Sequence, residues 1–207
     1  MTAAMPLEGT KIVPVVVLDD ADTAVPLART LLDAGIAAIE VTLRTPAAVD
    51  AIARIARDVP DIVVGAGSLR TPEQIQTVRD GGAGFGVSPG ATPALLAAAA
   101  EAGLPFVPGA QTASEMLALL EAGFALQKFF PAEAAGGVAF LRSVAAPLPE
   151  IRFMPTGGIT PGNAASYMAL DNVAAVGGSW LTPGKLLAAR DYDAIGRLAR
   201  DAVRIAV

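Results

Sequence analysis

The chain of 207 residues contains no cysteine and no histidine. Without cysteine there is no disulfide, no thiolate nucleophile and no cysteine-held metal, and a reducing cytoplasm is the simpler expectation for its location. Without histidine the commonest general base and the commonest transition-metal ligand are both missing. Acid–base work must fall to carboxylates, lysine, tyrosine or water. Aromatic residues make up only 5% of the chain, and the three lysines are Lys11, Lys128 and Lys185. The net charge of −5 leaves no electrostatic footprint for a nucleic-acid partner. It also leaves any anionic substrate to be held by local groups. No run of about 18 apolar residues is free of charge, proline and glycine, so no membrane partner is expected. No basic stretch followed by an apolar run opens the chain as a signal peptide would. What is present is a composition 53% hydrophobic and rich in alanine and glycine. That suits close packing of helices on a sheet, and the length suits one core rather than two.

Along the chain, short runs of strand type alternate with longer Ala/Leu-rich runs at helical spacing. After a lead-in over residues 1–11, partly helical, the expected strands are Ile12–Val17, Ala37–Leu43, Ile62–Gly65, Phe85–Val87, Pro105–Val107, Leu126–Phe130, Arg152–Met154 and Val173–Val176. Asp20 and Asp22 can cap the first helix, which Ala34-Gly35 ends. Thr45-Pro46 opens the second, with proline where its missing N–H costs nothing. Thr71-Pro72, Thr92-Pro93 and Thr160-Pro161 repeat that opening, and Thr112 with Glu115 has the spacing of a capping box. A helix follows Gly136-Gly137, and 191–207 reads as a terminal amphipathic helix. Eight strand–helix units favour a single-domain α/β fold over 1–207, a closed (β/α)8 TIM barrel, over the alternative of a doubly wound open sheet. A barrel gathers its active groups at the C-terminal ends of its strands.

Lys128 lies inside the apolar run Ala125-Leu126-Gln127-Lys128-Phe129-Phe130. Burial disfavours a charged amine. Either the amine snorkels to water, or it is kept as a neutral nucleophile able to form a Schiff base with a ketone. In the second strand, alternation puts Glu40, Thr42 and Arg44 on one face. A structural ion pair is the bland explanation of Glu40 beside Arg44. The chemical one is a carboxylate base beside a guanidinium that binds a carboxylate. If Leu126, Lys128 and Phe130 share the inner face of their strand, Lys128 points into the same space as Glu40. Thr156-Gly157-Gly158 and Gly177-Gly178-Ser179 end the last two strands, where barrels commonly hold phosphate. Ser68 adds a hydroxyl at another strand end, or serves beside a helix N-cap. Asp19, Asp20 and Asp22 could suggest a hard-metal site, but they suit helix capping better, and no metal is expected. A metal-dependent enzyme using Glu40 and the Asp cluster, and a scaffold or assembly subunit, stand as the alternative functional readings.

Six separated motifs resemble one family in order and at similar spacing: Glu40-Val41-Thr42-Leu43-Arg44-Thr45, Gly65-Ala66-Gly67, Ser88-Pro89-Gly90, Lys128-Phe129-Phe130-Pro131-Ala132-Glu133, Pro155-Thr156-Gly157-Gly158-Ile159 and Gly178-Ser179-Trp180-Leu181. The family is that of the 2-keto-3-deoxy-6-phosphogluconate (KDPG) and 4-hydroxy-2-oxoglutarate (KHG) aldolases. The resemblance covers nearly the whole chain. It implies a class I, cofactor-free lyase on a (β/α)8 barrel, usually a homotrimer, in the cytoplasmic Entner–Doudoroff pathway of carbohydrate metabolism. It implies that Lys128 forms the imine and that Glu40 shuttles protons. Arg44 and Ser68 would hold the pyruvyl carboxylate, Phe130 would line the pocket, and Gly157, Gly158 and Ser179 would receive the phosphate. Two departures stand out. Ser68 replaces the usual threonine, keeping the hydroxyl and losing a methyl, and Ala135 stands where asparagine is frequent.

Overall fold

The structure is a computed structural model that describes Leu7 and residues 9–205. Most of the lead-in expected over 1–11 and the last two residues of the expected terminal helix lie outside the described residues. In chain order the elements are β1 (Ile12–Val16), a short 3-10 turn (Ala21–Thr23), α1 (Ala24–Asp33), β2 (Ala38–Thr42), α2 (Ala48–Asp58), β3 (Val63–Gly67) and α3 (Pro72–Asp80). There follow β4 (Phe85–Val87), α4 (Pro93–Glu101), β5 (Phe106–Val107), β6 (Gly109–Ala110), α5 (Ala113–Glu121), β7 (Leu126–Phe129) and α6 (Gly137–Ala145). The chain ends with β8 (Arg152–Pro155), α7 (Ala164–Met168), β9 (Val176–Gly178), α8 (Gly184–Ala188) and α9 (Tyr192–Ile205).

Local chemistry accounts for several helix starts. Asp20 accepts a hydrogen bond from Asp22 N–H at 2.9 Å and caps the 3-10 turn that leads into α1. Thr71 and Thr112 close capping boxes with Gln74 and Glu115, and Thr92 caps α4 alone. Two openings differ from the sequence expectation. The Thr45 hydroxyl donates to the Leu18 carbonyl, so it does not cap, and α2 begins at Ala48. After Thr160-Pro161 the chain makes a turn, with Asn163 Oδ1 accepting from Thr160 N–H at 2.8 Å, and α7 begins only at Ala164.

Every paired strand is parallel, in a curled sheet with two ladders. One runs β5-β4-β3-β2-β1-β9 and the other β6-β7-β8. Two isolated parallel bridges, Phe153 with Val173 and Thr156 with Gly177, link the end of the second ladder toward β9. The expected fifth strand, Pro105–Val107, appears as β5, and beyond Pro108, which has no N–H to give a ladder, a second short strand, β6, stands where a loop was expected. The last strand sits three residues later than expected, with Val173 contributing only a bridge.

Buried side chains fall into two groups. A large cluster fills the space between strands and helices, including Ile39, Val41, Ile52 and Ile55. A small one joins Val13, Ala38, Phe85, Val87, Val107, Met154 and Ala175, with Leu126 packed against it. These belong to six different strands or strand ends and meet on the concave side of the sheet. Because side chains alternate, they set the inward parity of each strand. Ala38 inward makes Glu40 and Thr42 inward, Leu126 makes Lys128 inward, and Met154 makes Thr156 inward.

Candidate active site

The inward polar residues of the two ladders face one another across the concave side of the sheet. Glu40 pairs laterally with Val15 on β1 and Gly65 on β3, and Lys128 pairs with Gly109 on β6 and Met154 on β8. Across the concave space, Lys128 Nζ lies 3.5 Å from Glu40 Oε1. Both are buried, Glu40 completely and Lys128 to within 5%. The second carboxylate oxygen of Glu40 is buried with no hydrogen-bond partner among the described residues. A structural ion pair at this depth would need short contacts and all lone pairs occupied to offset desolvation. A single contact at 3.5 Å and an unpartnered oxygen do not meet that need. The ammonium also lies 5.3 Å from the centroid of the Phe130 ring, within range of a cation–π contact. An amine, an adjacent carboxylate and an apolar wall form a constellation suited to imine chemistry on a small ketone.

Glu40 owes its place to a neighbouring strand. A methyl group at Gly67 would overlap Glu40 Oε1 and crowd its carboxyl carbon at 2.7 Å. Gly65, one pleat below, similarly makes room for the Phe85 ring. Glycine at alternate positions of β3 thus receives a carboxylate and a ring from the flanking strands.

Arg44 lies beyond the end of β2. The strand ends at Thr42, and Arg44 N–H donates back to Thr42 O at 2.8 Å, so a turn sets its direction. Its side chain is exposed, and its Nε donates to Ser68 Oγ at 3.3 Å. Arg44 and Ser68, expected to act together, are thus joined at the ends of β2 and β3. Ser68 has φ of +61°, the left-handed region that non-glycine residues rarely adopt. A β-branched residue is less at ease there than serine.

The loops after β8 and β9 are drawn together by the Thr156–Gly177 bridge. Gly157 and Gly158 have φ of +98° and +80°, conformations that need glycine. Ser179 stands exposed at the end of β9, and the Trp180 ring packs over the bare Cα of Gly178. Two of the three acidic residues considered for metal are engaged elsewhere: Asp20 pairs with Arg190 at 2.9 Å, and Asp22 with Arg54. No cluster of three acidic side chains able to hold a metal occurs among the described residues. No described helix is long and apolar enough to cross a membrane.

The profile of one family, KDPG and KHG aldolase, matches residues 4–198. The chain belongs to this family of lyases. The KHG/KDPG aldolase of Escherichia coli K12 is 49% identical over 192 residues, 93% of this chain and 90% of that one. The KDPG aldolase of Legionella pneumophila superposes with a TM-score of 0.90 at 40% identity, covering 92% of this chain and 93% of that one. It was solved with pyruvate captured at low pH as a covalent carbinolamine intermediate. The Zymomonas mobilis enzyme, solved with 3-phosphoglycerate, gives a TM-score of 0.90 at 37% identity, with 96% of each chain covered. A carbinolamine is the adduct of an amine and a ketone, so Schiff-base chemistry is the mechanism that the Legionella complex supports within the family.

Proposed function

We propose that this chain cleaves 2-dehydro-3-deoxy-6-phosphogluconate to pyruvate and glyceraldehyde 3-phosphate, with 4-hydroxy-2-oxoglutarate, giving pyruvate and glyoxylate, as a second substrate. The observation that carries the proposal is the buried pairing of Lys128 Nζ with Glu40 Oε1 at 3.5 Å. Neutral Lys128 attacks C2 of the 2-oxo acid, and loss of water leaves a protonated imine. The imine draws the C3–C4 bonding pair into an enamine as the C4 hydroxyl gives its proton to Glu40. The aldehyde phosphate leaves. Glu40 then returns the proton to C3, and hydrolysis of the imine frees pyruvate and Lys128. Electrons and protons balance without a cofactor. General acid–base catalysis of this kind contributes roughly 10²–10⁴-fold.

The remaining roles follow position. Arg44 and Ser68, joined at 3.3 Å, receive the pyruvyl carboxylate. Phe130 walls the ketone side. Gly157, Gly158 and Ser179 take the phosphate, the distal end of the substrate. The substrate is thus a small anionic 2-oxo acid phosphate, and the setting is the cytoplasmic Entner–Doudoroff pathway. The chain is one domain, and its two ladders are arcs of a closed (β/α)8 barrel. It assembles as a homotrimer, as the resemblance implies; the uncharged run of α4 from Pro93 to Ala100 and the 46% exposed Leu117 of α5 are apolar surface that a neighbouring subunit would cover. Light scattering should give three times the chain mass of 20.9 kDa; a monomer would remove the trimer from this proposal.

Borohydride reduction in the presence of pyruvate, followed by peptide mapping, tests the chemistry. The adduct is expected on Lys128 and absent from Lys128→Ala. An adduct on Lys11 or Lys185, or none, overturns the assignment. Glu40→Gln is expected to keep the adduct while slowing deuterium exchange into the pyruvate methyl group.

A further inference from the structure

The loop that ends β8 is fastened from outside its own element. Ala132 N–H donates to Thr156 O at 2.8 Å, and Glu133 N–H donates to Gly157 O at 3.1 Å. In a trans peptide the C=O and N–H of one unit point in opposite directions. Holding the Gly157 carbonyl therefore turns the Gly158 N–H away from the β7 side and toward the β9 side, where Ser179 stands. The Glu133 side chain adds a second fastening. Its Oε1 accepts a hydrogen bond from the hydroxyl of Tyr167, a fully buried residue of α7. Its methylenes lie under Gly158, where an added methyl group would come within 2.6 Å of Glu133 Cγ. At the start of α6, a methyl group on Gly137 would lie 3.1 Å from the Tyr167 hydroxyl and 3.2 Å from Glu133 Oε1. Asn163 holds the far side, its Nδ2 donating to Gly158 O at 3.1 Å.

A bland account is available: a buried tyrosine hydroxyl wants an acceptor. That accounts for the hydrogen bond alone. It does not account for one residue gripping Gly157 by its backbone, supporting Gly158 with its methylenes and having its carboxylate tied down behind both. We propose that Glu133 and Tyr167 form a positioning pair for the phosphate-bearing end of the substrate. They fix the direction of the Gly158 N–H and leave the imine chemistry at Lys128 untouched. The proposal rests on the aldolase reading above and extends it to two residues outside the substrate-contacting set. Burial, and then the neighbouring Glu133 carboxylate, raise the pKa of the Tyr167 phenol, so it stays a donor at any working pH.

Two reactions of the same site separate this role from general stability. Cleavage of the phosphorylated substrate needs the phosphate loop, whereas proton exchange of the pyruvate methyl group does not. Tyr167→Phe and Glu133→Ala are expected to raise KM for 2-dehydro-3-deoxy-6-phosphogluconate about tenfold, the loss of roughly one hydrogen bond to a charged group. In both variants kcat should fall less than about threefold and pyruvate exchange less than about twofold. Glu133→Gln keeps an acceptor for the tyrosine hydroxyl, and its KM should stay within about threefold of wild type. Equal losses in both reactions would reduce the pair to a structural role and overturn the proposal, as would an unchanged KM in Tyr167→Phe and Glu133→Ala. A wild-type protein that exchanges no pyruvate protons overturns the aldolase reading itself, and the proposal with it.

Discussion

Glu40 occupies a volume that exists because residue 67 has no side chain. The fit is tight enough that any Cβ at position 67 must displace the carboxylate, because backbone on β3 cannot yield without breaking its ladders to β2 and β4. Gly67→Ala should therefore uncouple the two halves of the mechanism. Imine trapping at Lys128 should persist, while deuterium exchange into pyruvate should fall by about 10². Overpacking of this kind also costs about 1–3 kcal/mol of stability, measurable by denaturant titration. Exchange at the wild-type rate would show that the carboxylate is not held by this glycine. The inward aim of Glu40 was legible from alternation, because Ile39, Val41 and Leu43 mark the other face as the one that meets the helices, whereas for Lys128 alternation showed only that it shares a face with Leu126 and Phe130. The exact end of the Glu40 strand was not: β2 stops at Thr42, and a turn hydrogen bond carries the chain on through Arg44. Nor was the pairing of Glu133 with Tyr167. The two are 34 positions apart, and no periodicity links a post-strand turn to a helix in the next unit.

Among the elements, those with a local chemical signature were readable and those built by tertiary contact were not. Thr112 and Glu115 announce the start of α5: the Thr112 hydroxyl accepts from Glu115 N–H at 3.3 Å, and the Glu115 carboxylate accepts from the N–H groups of Gln111 and Thr112, both at 2.8 Å. Those two backbone donors lower the Glu115 pKa, the mark of a carboxylate that is used in its charged form. Thr45 has the same residue type before a proline, yet its hydroxyl goes to Leu18 O in a neighbouring connection. A capping signature is a local offer that a distant carbonyl can outbid. Helix α8 was invisible for a different reason. Five residues give too few turns for a helical period, and Pro183-Gly184 at its start reads as loop. The split between β5 and β6 belongs to the same class. Pro108 interrupts the ladder on one side while its carbonyl still accepts from Lys128 N–H at 2.8 Å, so the strand that carries the lysine is fixed by the residue that breaks its neighbour.

For the molecule as a whole, the open question of architecture is whether the sheet has free edges. The six-strand ladder ends at β5 and β9, and the three-strand ladder ends at β6 and β8. β5 and β6 are separated by Pro108 alone. At the other seam the bridges Phe153–Val173 and Thr156–Gly177 stand where a full ladder would run. There Ala174 N–H donates to Phe153 O at 2.9 Å, while Val176 N–H donates across to Lys11 O at 2.8 Å. The chain near β9 thus spends two amides on opposite neighbours, as an interior strand of the proposed barrel would. Closure has an energetic consequence. Amides at a free edge open locally at little cost, whereas amides inside a closed barrel exchange only when the fold opens as a unit. Native-state hydrogen exchange should place Ala174 and Val176 in the same slow class as the central Val41, within about tenfold, or about 1.4 kcal/mol of opening free energy. Exchange of Ala174 about 10³-fold faster than Val41 would correspond to roughly 4 kcal/mol of easier local opening and would identify the β8–β9 seam as an edge. The site would then sit beside a fraying margin, and the loops assigned to the phosphate, which lie on either side of that seam, would lose the rigid spacing that their role requires.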